Sequence, residues 1–499
     1  MKTKHLSTAS SALASVMFCA CNKVDVSAIA VADSAVELQI PSRERGVNVT
    51  PSEAATLAEQ FANSADGIAG MASKAGMKHS SKISSSATLR EDGQELMYVF
   101  NYEDGGWVIV GSTREYYPIL AYSDKGKFEL QEDMGPVDVW LDETKVSIKH
   151  ASELSVEEKA QMRSLWSHYE DAGLLAEKTK AARVLTKSAG EDACWARIDS
   201  LQSVYGSEGW TFTTVSAAEQ LFTDLGLTSY YSDICYSATQ NHSALNETLI
   251  GYKNPVRNEV GPLIGTLWHQ VTPFNDYCPG ECQAGCGPVA VAQLMRHYAK
   301  PDTMSWNIFT FTWDNLPVAY SVTDTTQRHA QLIRYLWQKL QVTVSPPLRV
   351  KTTATKIKNG LESMDYTATI HNPHTNASVR DQLLNYSRPV IMFGMDSSDV
   401  DGHFWVCEGA KEIYLNQIVF YTENQPYGTG TFTPGMYSRT NPGIVGGSNP
   451  SLDFYMNWGW GQKSTYSGPL NGWYSSNNVN VDGSNYIVEP FAWTGLSPC

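Results

Sequence analysis

Cys286 stands in the run Ala284-Gly285-Cys286-Gly287-Pro288-Val289-Ala290-Val291-Ala292-Gln293-Leu294-Met295. Pro288, the apolar periodicity behind it and the stop before Lys300-Pro301 predict a helix over about 287–299 with proline in its first turn. The thiol then sits at the helix N-terminus, where unpaired amides and the positive end of the dipole favour an anion. That position predicts a lowered thiol pKa and a thiolate fit for nucleophilic attack. The same residues equally suit a small buried cysteine closing a helix.

A sulfur nucleophile needs an imidazole to take and return its proton, distant in sequence and adjacent in space. Of the 11 histidines, His403 in Asp401-Gly402-His403-Phe404-Trp405-Val406 opens a strand straight after a glycine-containing turn. It would project from the rigid end of a sheet, whereas His269, His297, His329, His371 and His374 lie in helix or loop contexts. Asn457 ends the run Phe454-Tyr455-Met456-Asn457 and precedes Trp458-Gly459-Trp460-Gly461. Its side-chain carbonyl would suit the second imidazole nitrogen, with a tryptophan shielding the bond from water. An aromatic turn filling a core would read the same way. Gln270, sixteen residues before Cys286, offers an amide that would complete an oxyanion hole with the Cys286 backbone N–H.

These groups need a scaffold, and the chain is large enough for more than one unit at 499 residues. Hydrophobic residues make up 42% and aromatics 11%, which excludes a mainly disordered chain. With 37 Lys+Arg against 52 Asp+Glu the net charge is −15, so a basic nucleic-acid footprint is absent. Beyond the first 30 residues no apolar run approaches the roughly 20 that a spanning helix needs, which excludes a polytopic membrane protein.

Lys2, Lys4 and His5, followed by a small-residue, weakly apolar stretch to Ala20, form an export signal over 1–20. Cys21 directly after Ala20 is where a bacterial lipoprotein signal places its acylated cysteine; an ordinary cleaved signal is the alternative. Residues 21–45 read as a tether. Thr50-Pro51-Ser52-Glu53 is a capping box opening an amphipathic helix. The runs 96–102 and 107–110 around Gly105-Gly106 make a hairpin, and 119–122 a third strand, giving a small α+β unit over about 46–135. A second capped helix starts at Ser155, and 177–192, with Lys178, Lys180, Arg183 and Lys187, reads as an exposed, cleavable connector.

From about 194 the texture changes. Helical patterns at 287–299, 325–341 and 353–364 precede strand-like runs at 389–394, 403–407, 416–421 and 453–457, an α+β order. Nine cysteines less the two in the signal leave an odd number, which suggests one free thiol.

Trp268-x-Gln270, Pro273-Phe274-Asn275, Gly285-Cys286, Ala292-Gln293-Leu294-Met295, Gly402-His403 and Asn457-Trp458-Gly459-Trp460-Gly461, in that order, resemble the streptopain family of papain-like cysteine peptidases over roughly 255–480. Gly106-Trp107-Val108-Ile109-Val110 and Pro118-Ile119-Leu120-Ala121-Tyr122-Ser123-Asp124 resemble that family's inhibitory propeptide. The resemblance implies a papain-like α+β fold, with an inhibitory propeptide and connector over 46–190 and the peptidase over 191–499. It also implies Cys286 as nucleophile, His403 as general base and then acid, Gln270 in the oxyanion hole, and Asn457 or Trp458 orienting the histidine. Gly287-Pro288 and Gln462 depart from the family pattern without removing a catalytic atom.

The expected activity is a thiol endopeptidase made as a zymogen and exported, at the cell surface or secreted. It would act on proteins or peptides, be held by its own propeptide, need no cofactor, and meet a membrane only through a lipid on Cys21. Cys278, Cys282 and Cys286 recur every four residues, but no second ligand pair follows, so a disulfide between the first two or two reduced thiols fits better than a metal. The glycine-rich stretch 427–448 lacks a following phosphate-binding helix and reads as a loop beside the cleft. Two other classes remain: a surface adhesin on a degenerate peptidase fold, and a Cys/His amidase or acyltransferase.

Overall fold

The computed structural model describes residues 46–498 with breaks. The longer breaks are 171–188, 319–326, 396–401, 424–436, 441–450, 462–469 and 477–490. The short ones are 65–66, 75–78, 132–133, 135, 207–208, 225–227, 241–243, 254–255, 347, 373 and 415–416. The signal, the tether, Cys21, most of the connector and most of the glycine-rich stretch lie outside the described residues.

Thr50 caps the helix Pro51–Asn63 as its sequence predicts: its hydroxyl accepts from the Glu53 amide, and the Glu53 carboxylate takes the Thr50 N–H at 2.8 Å. Strands β1 (Ile83–Glu91), β2 (Gln94–Tyr102), β3 (Trp107–Gly111) and β4 (Ile119–Ser123) form an antiparallel meander against it. Tyr98, Phe100 and Tyr102 pack with Phe61 on one face of β2, while Met97 and Val99 pack with Trp140 of helix Pro136–Lys149 on the other. Both faces are covered, which explains why this strand reads as a continuous apolar run without alternation. Helix Val156–Glu170 closes the layer: Trp166 donates to the Tyr116 carbonyl at 2.7 Å, and Glu170 pairs with buried Arg114 at 2.8 Å. The unit expected over 46–135 therefore extends to Glu170.

Helix Ala189–Tyr205 buries Glu191, Cys194, Trp195 and Ile198, so the end of the expected connector is ordered helix. It leads into β5 (Thr211–Thr214), helix Thr228–Gln240, β6 (Leu249–Lys253) and β7 (Val256–Val260).

Helix Cys286–Tyr298 comes next. Hairpin β8 (Met304–Trp306) and β9 (Phe309–Phe311), helix Arg328–Lys339, hairpin β10 (Thr343–Ser345) and β11 (Arg349–Lys351), and helix Ala354–Glu362 follow. Then come β12 (Tyr366–His371), helix Asn376–Tyr386, β13 (Val390–Met395), β14 (Gly402–Tyr414), β15 (Gln417–Glu423), β16 (Tyr437–Thr440), β17 (Ser451–Asn457), β18 (Gly472–Ser475) and β19 (Phe491–Pro498). Helices precede strands, as the α+β expectation required.

One sheet runs β1-β2-β3-β4-β18-β17-β14-β13-β19-β12, with β7 pairing the far half of β14; a second runs β16-β15-β6-β5. The propeptide and peptidase thus share a sheet through β4 and β18, where Tyr122 lies opposite Trp473 and Ala121 opposite Tyr474. On one face, Val289, Leu294, Leu336 and Ile357 pack on Phe404 and Val406. On the other, Trp140 joins Trp405, Met456, Trp458 and Tyr474 in one core that crosses the seam.

Candidate active site

Gly285 precedes the cysteine helix at φ 88°, a backbone region that favours glycine, and a Cβ there would lie 2.7 Å from the Val350 side chain. This turn delivers Cys286 as the first helical residue, half-buried. The amides of Phe404, Gly287 and Cys286 itself lie on the side of its sulfur and favour the thiolate. The Phe404 contact fixes the geometry of the site, because His403 is the residue before it on β14. The structure thus packs the helix of Cys286 on the strand of His403, though 117 positions separate the two residues (403 − 286).

The His403 Nε2–H donates to the Trp458 backbone carbonyl at 3.2 Å. A carbonyl only accepts, so this bond assigns the proton to Nε2 and leaves Nδ1 as the basic nitrogen. Burial pulls the imidazole pKa down to about 4 against the opposing pull of that carbonyl. The Trp460 ring lies 6.2 Å from the imidazole and limits water on that side. The Trp458 ring turns the other way, onto Trp405 at 5.2 Å and Tyr474 at 5.1 Å.

Two expectations need correcting. Asn457 does not contact the imidazole: its amide donates to the Thr266 carbonyl and to a Glu408 oxygen, each at 2.9 Å. The partner of His403 is a main-chain oxygen one residue later. The thiol pKa is also raised rather than lowered, because burial outweighs the three amides that favour the thiolate. Burial therefore disfavours both the thiolate of Cys286 and the imidazolium of His403 in this structure.

Gln270 lies next to the nucleophile turn, largely buried, with its carbonyl accepting the Ala284 N–H at 2.8 Å. Cys278 and Cys282 are free thiols in the peptidase core, where burial pushes the Cys278 thiol up to about 12. Cysteine parity misleads: among the described residues Cys194, Cys235, Cys278, Cys282, Cys286 and Cys407 are all outside disulfides, and most are small buried apolar groups. The Trp458 carbonyl and the Phe404 amide escape residue-type reasoning because any residue could supply them. The one sequence signal for Glu408 is an acid within the apolar run Phe404-Trp405-Val406-Cys407-Glu408-Gly409-Ala410.

The propeptide reaches the same face. Gly394 on β13 lies opposite His403 in register, and a Cβ on it would stand 2.9 Å from Val139 of helix Pro136–Lys149 and 3.1 Å from Trp405. Trp140 of that helix donates to the Ser475 carbonyl at 3.2 Å. This helix therefore packs against β13 at the residue paired with His403.

A thiol at a helix start, with that helix packed on the strand that opens with a buried histidine, is the arrangement of a cysteine peptidase of papain-like α+β architecture. Residues 268–474 match the model of the Peptidase C10 family, and residues 46–148 match that of the Spi protease inhibitor family. The chain carries a C10, or streptopain-family, peptidase domain behind an inhibitor domain of its own, the make-up of a cysteine peptidase zymogen. A solved fragment of Prevotella intermedia prointerpain A is similar at 14% identity, covering 82% of this chain and 98% of that one with a TM-score of 0.42. No curated protein is matched.

Proposed function

We propose that Cys286 is the nucleophile and His403 its general base and acid, with Gln270 and the Cys286 amide holding the oxyanion. The observation that carries this reading is the packing of the Cys286 helix on the strand of His403, beside a His403 Nε2–H bonded to the Trp458 carbonyl, which leaves Nδ1 unprotonated. The thiol passes its proton to Nδ1, and the thiolate adds to the scissile carbonyl carbon. Gln270 and the Cys286 N–H take the developing negative charge. As the C–N bond breaks, the imidazolium returns the proton to the leaving amine. Water then attacks the thioester, giving its proton to His403, and the acid and free thiol are released.

The substrates in this reading are proteins or peptides. Helix Pro136–Lys149 holds the enzyme latent until it leaves the sheet face that carries His403. The chain is exported through its first 20 residues and held at the cell surface by a lipid on Cys21, a reading supported by the Ala20-Cys21 pair alone.

The test is hydrolysis of casein by the purified chain with a thiol reductant, with and without an epoxide inhibitor of cysteine peptidases, beside Cys286→Ala. Inhibitor-sensitive proteolysis that Cys286→Ala abolishes is expected. Cleavage of small amides but not casein would assign an amidase instead, and no turnover at all would leave a surface binding protein. Detergent partition of the exported chain, lost in Cys21→Ser, checks the anchor.

A further inference from the structure

Glu408 is a carboxylate with no exposed surface, five residues beyond His403 on the same strand. Its Oε2 accepts the Gly265 N–H at 2.9 Å and the Ile264 N–H, while Oε1 accepts the Asn457 side-chain amide at 2.9 Å. Asn457 is equally buried and also donates to the Thr266 carbonyl at 2.9 Å. Its remaining polar atom, Oδ1, accepts the Gly459 N–H at 3.4 Å. That last bond closes a turn around Trp458, whose own N–H is held by Asn471 Oδ1 at 3.1 Å. Gly459 takes φ +69°, the left-handed backbone that such a turn requires. Both flanks of the Trp458 peptide are therefore pinned by side chains, and its carbonyl faces His403.

The network also reaches the nucleophile. The Thr266 hydroxyl donates to Gln293 Oε1 at 2.7 Å, and Gln293 lies on the Cys286 helix. One buried chain of hydrogen bonds therefore links the strand of the imidazole, the segment before Gln270 and the helix of the sulfur.

We propose that Glu408 is a positioning residue: through Asn457 it fixes the turn that aims the Trp458 carbonyl at His403, and so holds the imidazole in its Nε2–H tautomer. This rests on the reading of His403 as the general base. A carboxylate is required because every group it meets is a donor. Glutamine, however it is turned, sets its own NH2 against the Asn457 amide or against the Ile264 and Gly265 N–H groups. The result is an unmet donor in a dry site and a loosened turn. The Trp458 carbonyl raises the histidine pKa, so a loosened turn lowers it and destabilises the imidazolium that the reaction forms.

The experiment compares mature enzyme from the wild-type, Glu408→Gln, Asn457→Ala and double-variant chains, each processed with added wild-type enzyme. The expected result for Glu408→Gln is a kcat lower by roughly tenfold or more with KM within about twofold. The alkaline limb of kcat/KM moves to lower pH, because less alkaline conditions now suffice to deprotonate the imidazolium. Asn457→Ala gives the same shift, and the double variant loses no more than Asn457→Ala alone, since both act on one turn. Reduced thermal stability with an unmoved alkaline limb, or additive losses, would overturn the proposal and leave Glu408 a structural residue. If Glu408→Gln does not fold, Asn457→Ala decides by the same limb. A wild-type chain without Cys286-dependent hydrolysis would sink the reading of His403 itself, a separate outcome from an active wild type whose variants keep its pH profile.

Discussion

Lys411 of the peptidase strand β14 donates to the hydroxyl of Tyr122 on the propeptide strand β4 at 2.5 Å. The ammonium is 3% exposed and lies 4.6 Å from the Trp473 ring and 5.0 Å from the Tyr122 ring, with Glu259 at 3.8 Å. A buried cation is tolerated only while its hydrogen bonds and counter-charge persist, so this contact ties the two regions at the point where their strands pair.

Tyr122→Phe keeps the ring and removes the acceptor. A hydrogen bond to a charged group contributes about 1.5–3 kcal/mol, so the open population of the zymogen should rise by roughly tenfold or more. The expected outcome is a shorter lag before self-processing and higher activity of the unprocessed chain. An unchanged lag would mean that Lys411 is equally well satisfied without the propeptide.

Glu143 makes the latency pH-dependent. It lies on helix Pro136–Lys149 beside Trp140, among His374, Trp405 and Trp458, and burial pushes its carboxyl up to about 8. A carboxyl raised in the docked state binds its proton more tightly there than in the released state. Its contribution is therefore complete at acid pH and is lost as pH rises through about 8. Glu143→Gln, which stays neutral, should activate as wild type does at acid pH. Near pH 7.5 its lag should be longer, by roughly tenfold. Lag times measured across this range check the sign; identical curves would show that Glu143 is solvated in the zymogen.

Cys286 carries a second pH signature. Burial holds its thiol above the ordinary range in the latent form, against three amides that favour the thiolate. Removing the helix over the His403 face admits water and leaves those amides in place. Alkylation of Cys286 by iodoacetamide should therefore be slow in the unprocessed chain and rise only at alkaline pH. In the mature enzyme the same limb should move to lower pH. Coincident profiles would mean that the propeptide obstructs substrate without altering the nucleophile.

Where local rules decide the backbone, the sequence is readable. Thr50 with Glu53 marks a helix start, Pro288 behind Gly287 marks another, and Gly105-Gly106 marks a hairpin. The proposed site is readable where side chains would do the chemistry, as for Cys286 and His403. Where main chain does it, the signal shifts to a neighbour: Asn457 attracts the role of the Trp458 carbonyl because its side chain is the visible polar group. Strand β1 was missed because Ser84-Ser85-Ser86 is an exposed, polar edge without alternation. β5 and β6 were missed because β15, the partner of β6, is distant in sequence, so no local pattern announces the pairing.

That distant pairing fixes where the propeptide must be cut. Trp195, Ile198 and Leu201 of helix Ala189–Tyr205 pack with Phe212, Leu249 and Tyr421, and Arg197 pairs with Glu423 at 3.1 Å. Tyr421 and Glu423 lie on β15, downstream of His403, so the segment from Ala189 packs with a strand inside the C10 match although it precedes that match. On the other side, Trp166 and Tyr169 of helix Val156–Glu170 pack in the propeptide core with Phe61. Removing residues 189–253 would strip β6 from β15 and expose several large side chains, each contributing about 1.5–3 kcal/mol by burial. Maturation should therefore cut between Glu170 and Ala189, in the stretch that holds Lys178, Lys180, Arg183 and Lys187. N-terminal sequencing of the mature enzyme should return a start within 171–189, with Trp195 retained. A start beyond Trp195 would show that this helix leaves with the propeptide, and that β15 stands in the active enzyme without it.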